Sequence, residues 1–175
     1  DILKDLPAAV EYIQSHPEIT NVLLPGGDPL IMSTGKLDET IDALLPIQHV
    51  KILRFGSKMT AFNPFRFIDD PELPKLIEKT IARGKQIYVM NHFNHAREIT
   101  DQAVQAIKIL QHAGAILTNQ TPLIHGVNDD PETLAELFRK LSFIGVPPYY
   151  VFQCRPASGN KAYAVPIEKG YQIFE

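Results

Sequence analysis

The chain is short of the residue types that would place it outside the cell or against a charged polymer. Its 175 residues contain no tryptophan and a single cysteine, Cys154. One thiol cannot form an internal disulfide, and it fits a reducing compartment. The formal net charge is −3, from 17 basic and 20 acidic residues that are interspersed along the chain. No basic footprint for nucleic acid or anionic lipid is present, so we expect neither as a partner.

Long apolar runs are absent as well. No stretch approaches the roughly 18 residues of a membrane span, and no basic-then-apolar leader opens the chain. With the unpaired thiol, these features predict a cytoplasmic protein without membrane contact. The apolar share is 45%, and no linker or low-complexity segment divides the chain, so we expect residues 1–175 to form a single domain with a real core.

Short apolar runs alternate with helical patterns at intervals of roughly 30 residues, which is the spacing of consecutive βα units. The predicted strands lie near residues 21–25, 50–56, 86–92, 115–120 and 148–154. The helical patterns between these strands end at glycines, namely Gly84, Gly114 and Gly145. The sequence therefore predicts an α/β fold with about five parallel strands, either an open doubly wound sheet or an arc of a (β/α) barrel. The pattern by itself does not choose between the two.

The first predicted strand ends in two glycines, Gly26 and Gly27, which are followed by Asp28. A backbone without side chains at the carboxyl end of a parallel strand lets a ligand contact the main chain. Ligands bind at that end of the strands in parallel α/β folds. The alternative for this stretch is a tight strand-to-helix turn without a ligand.

Six stretches with polar signatures follow the strands in order. They are Leu23-Leu24-Pro25-Gly26-Gly27-Asp28-Pro29-Leu30, Arg54-Phe55-Gly56-Ser57-Lys58, Asn91-His92-Phe93-Asn94-His95 with Glu98-Ile99-Thr100, Asn119-Gln120-Thr121, Gly126-Val127-Asn128-Asp129, and Pro148-Tyr149-Tyr150-Val151-Phe152-Gln153-Cys154. In order and spacing over nearly the whole chain, they resemble the lysine 2,3-aminomutase-like branch of the radical S-adenosylmethionine enzymes. The resemblance implies a partial (β/α) barrel with the active site at the strand ends, a small-molecule amino acid as substrate, and migration of its amino group.

The resemblance also assigns the S-adenosylmethionine-binding residues. Gly26, Gly27 and Asp28 match the Gly-Gly-acidic motif that receives the methionine ammonium, with Pro25 in place of the usual serine. His92 and Gln120 match the histidine and glutamine beside the nucleoside. A His92-x-x-His95 metal pair is the alternative for the histidine, but no third ligand is evident, and we expect no metal site in this chain.

The family's cluster motif has no counterpart in this sequence. The resemblance implies a 4Fe-4S cluster held by a Cys-x-x-x-Cys-x-x-Cys loop, yet Cys154 alone cannot hold a cluster that needs several thiolates. The lysine that anchors pyridoxal phosphate in the aminomutases is also unmatched, so use of that cofactor stays open. We therefore expect an inactive fragment of a longer enzyme, and the alternative is a cluster-less barrel that serves as a binding or regulatory module. An ordinary phosphate-binding (β/α) enzyme such as an aldolase is disfavoured, because no lysine stands at the end of a predicted strand, where it could form a Schiff base with a substrate.

Three further residues are candidates for contacts with an anion or with the substrate. Arg54 and Ser57, at the end of the second predicted strand, suit a carboxylate or phosphate, or else belong to a structural ion pair. Arg155 follows Gln153-Cys154, where the lysine enzymes have an aspartate that holds the lysine ammonium. Because a guanidinium repels that ammonium, the substitution predicts a substrate other than lysine, such as glutamate, unless Arg155 pairs with a neighbouring acid.

The barrel arc implied by the resemblance lacks its first strand. The strand at residues 21–25 then has one unpaired edge, and we expect a second copy of the chain or a rearranged segment to cover it.

Overall fold

The computed structural model describes residues 5–24, 27–154 and 157–175. Five strands alternate with eight α-helices over these ranges. In chain order the elements are α1 (Leu6–Ser15), β1 (Asn21–Leu24), α2 (Thr34–Leu44), β2 (Ile52–Ser57), α3 (Met59–Phe62), α4 (Phe65–Ile68), α5 (Glu72–Ala82), β3 (Gln86–Asn91), α6 (Asp101–His112), β4 (Ile116–Leu123), α7 (Pro131–Phe143), β5 (Pro148–Gln153) and α8 (Ile167–Ile173). Short 3₁₀ turns cover Pro29–Ile31, Ala96–Glu98 and Lys161–Tyr163.

All five strands belong to one parallel sheet with the order β1-β2-β3-β4-β5. An order that follows the sequence is that of an arc of a (β/α) barrel, whereas a doubly wound sheet reverses its strand order at a switch point. The structure therefore confirms the α/β class and the parallel strands, and it is consistent with the partial barrel. A register shift between Asn119 and Gln120 interrupts the pairing of β4 with β5.

One face of the sheet packs against helices and the other is open. Along β2, Leu53 and Phe55 are buried, whereas Arg54 and Gly56, which alternate with them, are partly exposed. The buried side chains of the sheet join those of the helices in one main core, which includes Leu37, Ile41, Leu53, Phe55, Leu76, Ile87, Val89, Ile107 and Leu110. The alternation leaves the polar residues of the strands on the open face, where a ligand can reach them.

The helix boundaries follow local signals in the sequence. The α7 helix begins with Pro131 at its first position, and the Asp130 side chain accepts a hydrogen bond from the Thr133 backbone N–H. Gly84, Gly114 and Gly145 follow α5, α6 and α7 with φ angles of 88°, 88° and 76°, as predicted for residues that end helices.

Among the described residues, β1 pairs with β2 alone, so its other edge has no partner strand. Leu23, near the end of β1, is 48% exposed. The prediction that a second copy or another segment covers this edge stays a prediction. Over the ranges that the structure describes, none of the helices combines the length and the apolar character needed to cross a membrane.

Candidate functional site

Asp28 connects the end of β1 to the end of β2. One oxygen of its carboxylate accepts hydrogen bonds from the Ser57 hydroxyl at 2.9 Å and from the Lys58 backbone N–H at 2.6 Å. The other oxygen accepts from the Leu30 N–H at 3.0 Å. Since a carboxylate offers about four acceptor positions, Asp28 keeps room for one more donor. Asp28 thus fixes the loop after β1, and Ser57 binds a carboxylate of the protein itself.

Gly27 precedes Asp28 with a φ angle of +45°. An added Cβ would meet no atom within 4 Å, so space does not require glycine here. The left-handed backbone conformation does require glycine, because residues with a side chain rarely adopt it. Gly26 and Arg155, two other predicted site residues, lie outside the described residues.

Lys58 joins the end of β2 to the loop after β3. Its ammonium donates to the Glu98 carboxylate at 2.6 Å and to the His92 carbonyl at 3.0 Å. The second oxygen of Glu98 accepts from the backbone N–H groups of Asn94 and His95. The ends of β1, β2 and β3 are therefore tied together by Asp28, Lys58 and Glu98.

His92 follows β3 and is partly buried, and its Nε2 atom is fully buried without a hydrogen-bond partner. Burial lowers the pKa of His92, and the Lys58 ammonium lowers it further. The imidazole is therefore neutral at physiological pH, and it has an unused nitrogen. Its ring lies beside that of Phe152, with 5.9 Å between the ring centroids.

Gln120, on β4, lies on the same side of the sheet as His92. Its amide oxygen accepts a hydrogen bond from the Tyr150 hydroxyl at 2.5 Å. A cleft of about 670 Å³ has His92, Gln120, Tyr150 and Phe152 in its lining. The structure therefore brings together His92 and Gln120, which are 28 positions apart in the sequence, and adds two aromatic walls from β5.

Buried asparagines fix the loop that carries His92. Asn119 is fully buried, and its side chain exchanges hydrogen bonds with both the N–H and the carbonyl of Phe93. The Asn128 amide group donates to the carbonyls of Asn94 and Pro122. A neutral side chain that donates and accepts at once can hold a loop backbone without introducing a charge. These asparagines are positioning residues for His92.

Asp129 ties the loop after β4 to α8. Its carboxylate accepts from the Gly126 N–H at 2.8 Å and contacts Lys169 and the Nδ1 atom of His125. The hydrogen bond from Lys169 is the main reason that the pKa of Asp129 lies far below its usual range. Asp129 is thus a turn residue, while Asp130 is the N-cap of α7.

The remaining predicted contact, Arg54, lies in the middle of β2 and not at its end, so it does not reach the Asp28–Ser57 pair through any hydrogen bond of the described residues. The described parts of the chain contain no group of three or more histidine, cysteine or acidic residues arranged to hold a metal ion. His95, the second histidine of the alternative metal pair, accepts a hydrogen bond from the Arg97 N–H and caps a 3₁₀ turn.

Sequence reasoning missed four residues of this site: Lys58 and Glu98, which pair across 40 positions, and Tyr150 and Phe152, which alternate on one face of β5. The alternation in β5 was a usable signal, because residues two apart on a strand share a face. The Lys58–Glu98 pair had no local signal, since it depends on the loop after β3 folding back over β2.

These features define the class of the protein as a parallel β/α partial barrel with a polar cleft at the carboxyl ends of its strands. No protein-family model matches the chain. Curated proteins do. A protein of Aquifex aeolicus named "Putative L-lysine 2,3-aminomutase" is 56% identical over 176 residues, which is 100% of this chain and 47% of that protein.

Two proteins named L-lysine 2,3-aminomutase are also similar. That of Acetoanaerobium sticklandii is 38% identical over 98% of this chain and 40% of its own length, and that of Clostridium subterminale is 37% identical over 99% and 40%. The chain belongs to the lysine 2,3-aminomutase-like family. It spans about half the length, or less, of the curated relatives that it matches.

Proposed function

We propose that this chain is the catalytic-barrel part of a radical S-adenosylmethionine enzyme that moves an amino group between adjacent carbons of an amino acid. Membership of an aminomutase-like family supports the isomerase class. The observation that carries the proposal is the cleft in which the neutral His92, with its buried unpartnered Nε2, faces the same space as Gln120.

S-adenosylmethionine fits the donors and acceptors of this site. A ribose has hydroxyl groups that both donate and accept, and the His92 imidazole and the Gln120 amide supply the complementary neutral groups. The aromatic rings of Tyr150 and Phe152 offer an apolar wall for a nucleobase. Because burial and Lys58 keep His92 uncharged, it does not repel the sulfonium cation.

The loop after β1 is the proposed contact for the methionine ammonium. Gly27 leaves its backbone uncovered, and Asp28 adds a negative charge with one free acceptor position. Lys58 and Glu98 connect this loop to the one that carries His92, so both ends of an extended ligand are held by one network. The part of Gly26 in this contact stays a prediction.

The 4Fe-4S cluster does not fit the residues of this chain, because Cys154 is its single thiol. The thiol donates to the Leu123 carbonyl at 3.4 Å. We propose that the cluster ligands, and a site for pyridoxal phosphate if the enzyme uses it, belong to segments outside these 175 residues. When bound, S-adenosylmethionine with a reduced cluster supplies hydrogen-atom abstraction from the substrate.

We further propose that the substrate is not lysine, because Arg155 stands where a lysine-binding enzyme of this family has an aspartate. Comparing glutamate and lysine turnover in the full-length enzyme and in its Arg155→Asp variant tests this. Equal preference in both proteins would remove Arg155 from the specificity argument.

The central test is binding of S-adenosylmethionine to the full-length protein, measured by equilibrium dialysis without turnover. His92→Gln should weaken binding about tenfold, the effect of one or two lost hydrogen bonds in a buried site. His112→Gln is the matched control, since His112 is exposed at the end of α6. If His92→Gln binds as tightly as the control, the proposed nucleoside site is wrong. If the native protein binds S-adenosylmethionine but never cleaves it after reduction, the cluster-less binding module is the better description.

A further inference from the structure

The side-chain amide of Gln120 is held at one end and open at the other. Its oxygen accepts a hydrogen bond from the Tyr150 hydroxyl at 2.5 Å. Its nitrogen takes part in no hydrogen bond among the described residues, and a Cβ placed on Gly56 would lie 3.7 Å from it. Because an amide has one acceptor end and one donor end, an occupied oxygen leaves the nitrogen as the end that a ligand can meet. In the cleft that it lines with His92, Gln120 is therefore set to act as a donor.

An irregularity of the sheet places Tyr150 beside Gln120. Asn119 pairs with Pro148, but the next residue of β4, Gln120, pairs with Tyr150, so Tyr149 is an extra residue in β5. Such a bulge interrupts the alternation of a strand and can re-aim a side chain beside a site. Without the extra residue, Gln120 would pair with Tyr149, and Tyr150 would point to the other face of the sheet. The bulge thus brings the hydroxyl to the amide.

Neighbouring rings pack against the ring that carries this hydroxyl. The Tyr149 ring meets the Tyr150 ring edge-on, with 5.2 Å between the centroids, and the Phe152 ring is tilted to it at 5.9 Å. Both distances are typical of aromatic pairs that attract each other. Phe152 in turn lies 5.9 Å from the His92 ring. Because the hydroxyl belongs to a packed ring, little side-chain freedom is lost when it holds Gln120 for a ligand.

We infer that the Tyr150 hydroxyl is a positioning group for Gln120. It holds the amide so that the nitrogen, and not the oxygen, faces the nucleoside of S-adenosylmethionine, and it thereby favours a ligand with an acceptor atom at that point. The inference rests on the proposed function and deepens it, because an amide without this bond could present either end to the ligand. The alternative is that Tyr150 contacts the ligand through its ring alone.

A double-mutant cycle in the full-length protein tests this, with S-adenosylmethionine binding measured by equilibrium dialysis without turnover. Tyr150→Phe keeps the ring and removes the hydroxyl, and it should weaken binding about fivefold, the effect of one hydrogen bond. In a protein that already carries Gln120→Ala, the same change should cause no further loss. Tyr149→Phe is the matched control, since Tyr149 is 61% exposed and its hydroxyl makes no hydrogen bond to the described residues.

Urea unfolding of the same variants without ligand separates positioning from a structural role. A merely structural hydroxyl would make Tyr150→Phe easier to unfold and would weaken binding equally in the native and the Gln120→Ala backgrounds, and that result would overturn the inference. The inference is also wrong if Tyr150→Phe binds as tightly as Tyr149→Phe, or if Gln120→Ala binds as tightly as the native protein. If the native protein does not bind S-adenosylmethionine at all, the proposed function itself is wrong, and the role of Tyr150 falls with it.

Discussion

Replacement of Arg66 by alanine should be among the most destabilising single changes in this chain. The Arg66 side chain is 12% exposed and pairs with Asp70, which is 31% exposed. Its other donors bind two carbonyls, those of Leu30 and Met32, in the segment that follows Asp28. Hydrogen bonds to a charged group contribute roughly 1.5–3 kcal/mol each and are not additive. With a discount for the partial exposure of Asp70, we expect a loss of about 2–4 kcal/mol.

The pH dependence of unfolding gives a second measurement of the same network. Burial alone would raise the pKa of Asp70, but hydrogen bonds from Thr34 and Arg66 outweigh it and lower the pKa. A carboxyl group with a lowered pKa stabilises the fold above its ordinary pKa of 3.8, and this stability is lost as the pH falls through the folded-state value. Arg66→Ala should reduce that acid-side loss, because Asp70 then titrates closer to its ordinary value.

Urea unfolding followed by circular dichroism, at neutral pH and near pH 3, measures both effects. Arg66→Lys should lose less than Arg66→Ala, since an ammonium keeps the charge but cannot reach all four acceptors. The exposed Arg83→Ala should change stability by about 0.5 kcal/mol or less. A loss below about 1 kcal/mol for Arg66→Ala, or an unchanged acid dependence, would show that the Arg66 contacts do not hold the loop after β1.

Three further outcomes are expected. The lowered pKa of His92 means that, just below the ordinary value of 6.5, the unfolded chain binds more protons than the folded chain, so the free energy of unfolding should fall as the pH drops through this value. In His92→Gln, the free energy of urea unfolding should depend less on pH in this range, and an equal dependence would exclude His92 as the cause. Lys85 is 4% exposed and donates to the carbonyls of Ile47 and Val50. Its replacement by methionine should lower the free energy of unfolding by about 2 kcal/mol, whereas the same replacement of the exposed Lys75 should leave it almost unchanged. Anaerobic treatment of this chain with iron and sulfide should give no stoichiometric cluster absorbance, and stoichiometric uptake would contradict the argument from its single thiol.

The strands were predictable because most of them contain a short apolar run that stands between turn signals. All five predicted strands are present, and their boundaries agree within three residues at each end. The largest difference is in β4, which continues to Leu123 past the predicted end at residue 120. Pro122 lies in this extension. Because proline lacks a backbone N–H for pairing, its presence in the sequence indicates the end of a strand. It nevertheless pairs in register with Phe152 of β5.

The candidate site was predictable where the residue types are unusual at a strand end, as with Gly27 and His92. Its geometry was not. The sequence left two interpretations of Ser57 open, an anion contact or a part in a structural ion pair, and no local pattern indicated that its hydroxyl donates to Asp28, a residue 29 positions earlier. The two short helices α3 and α4 were also missed, since four residues are too few to show helical periodicity. Contacts of this kind depend on the packing of neighbouring βα units, and no local pattern reports them.

The strand order β1 to β5 also bears on how the chain reaches its fold. Each strand pairs with the strand that precedes it in the sequence, so the chain needs no pairing between its distant ends before the sheet can grow. Each pairing, such as that of Asn21 with Ile52, spans one βα unit, which is a smaller sequence separation than a pairing of the distant ends would need. During synthesis, each new βα unit finds its partner strand already in place, and the sheet can lengthen one unit at a time as the chain leaves the ribosome.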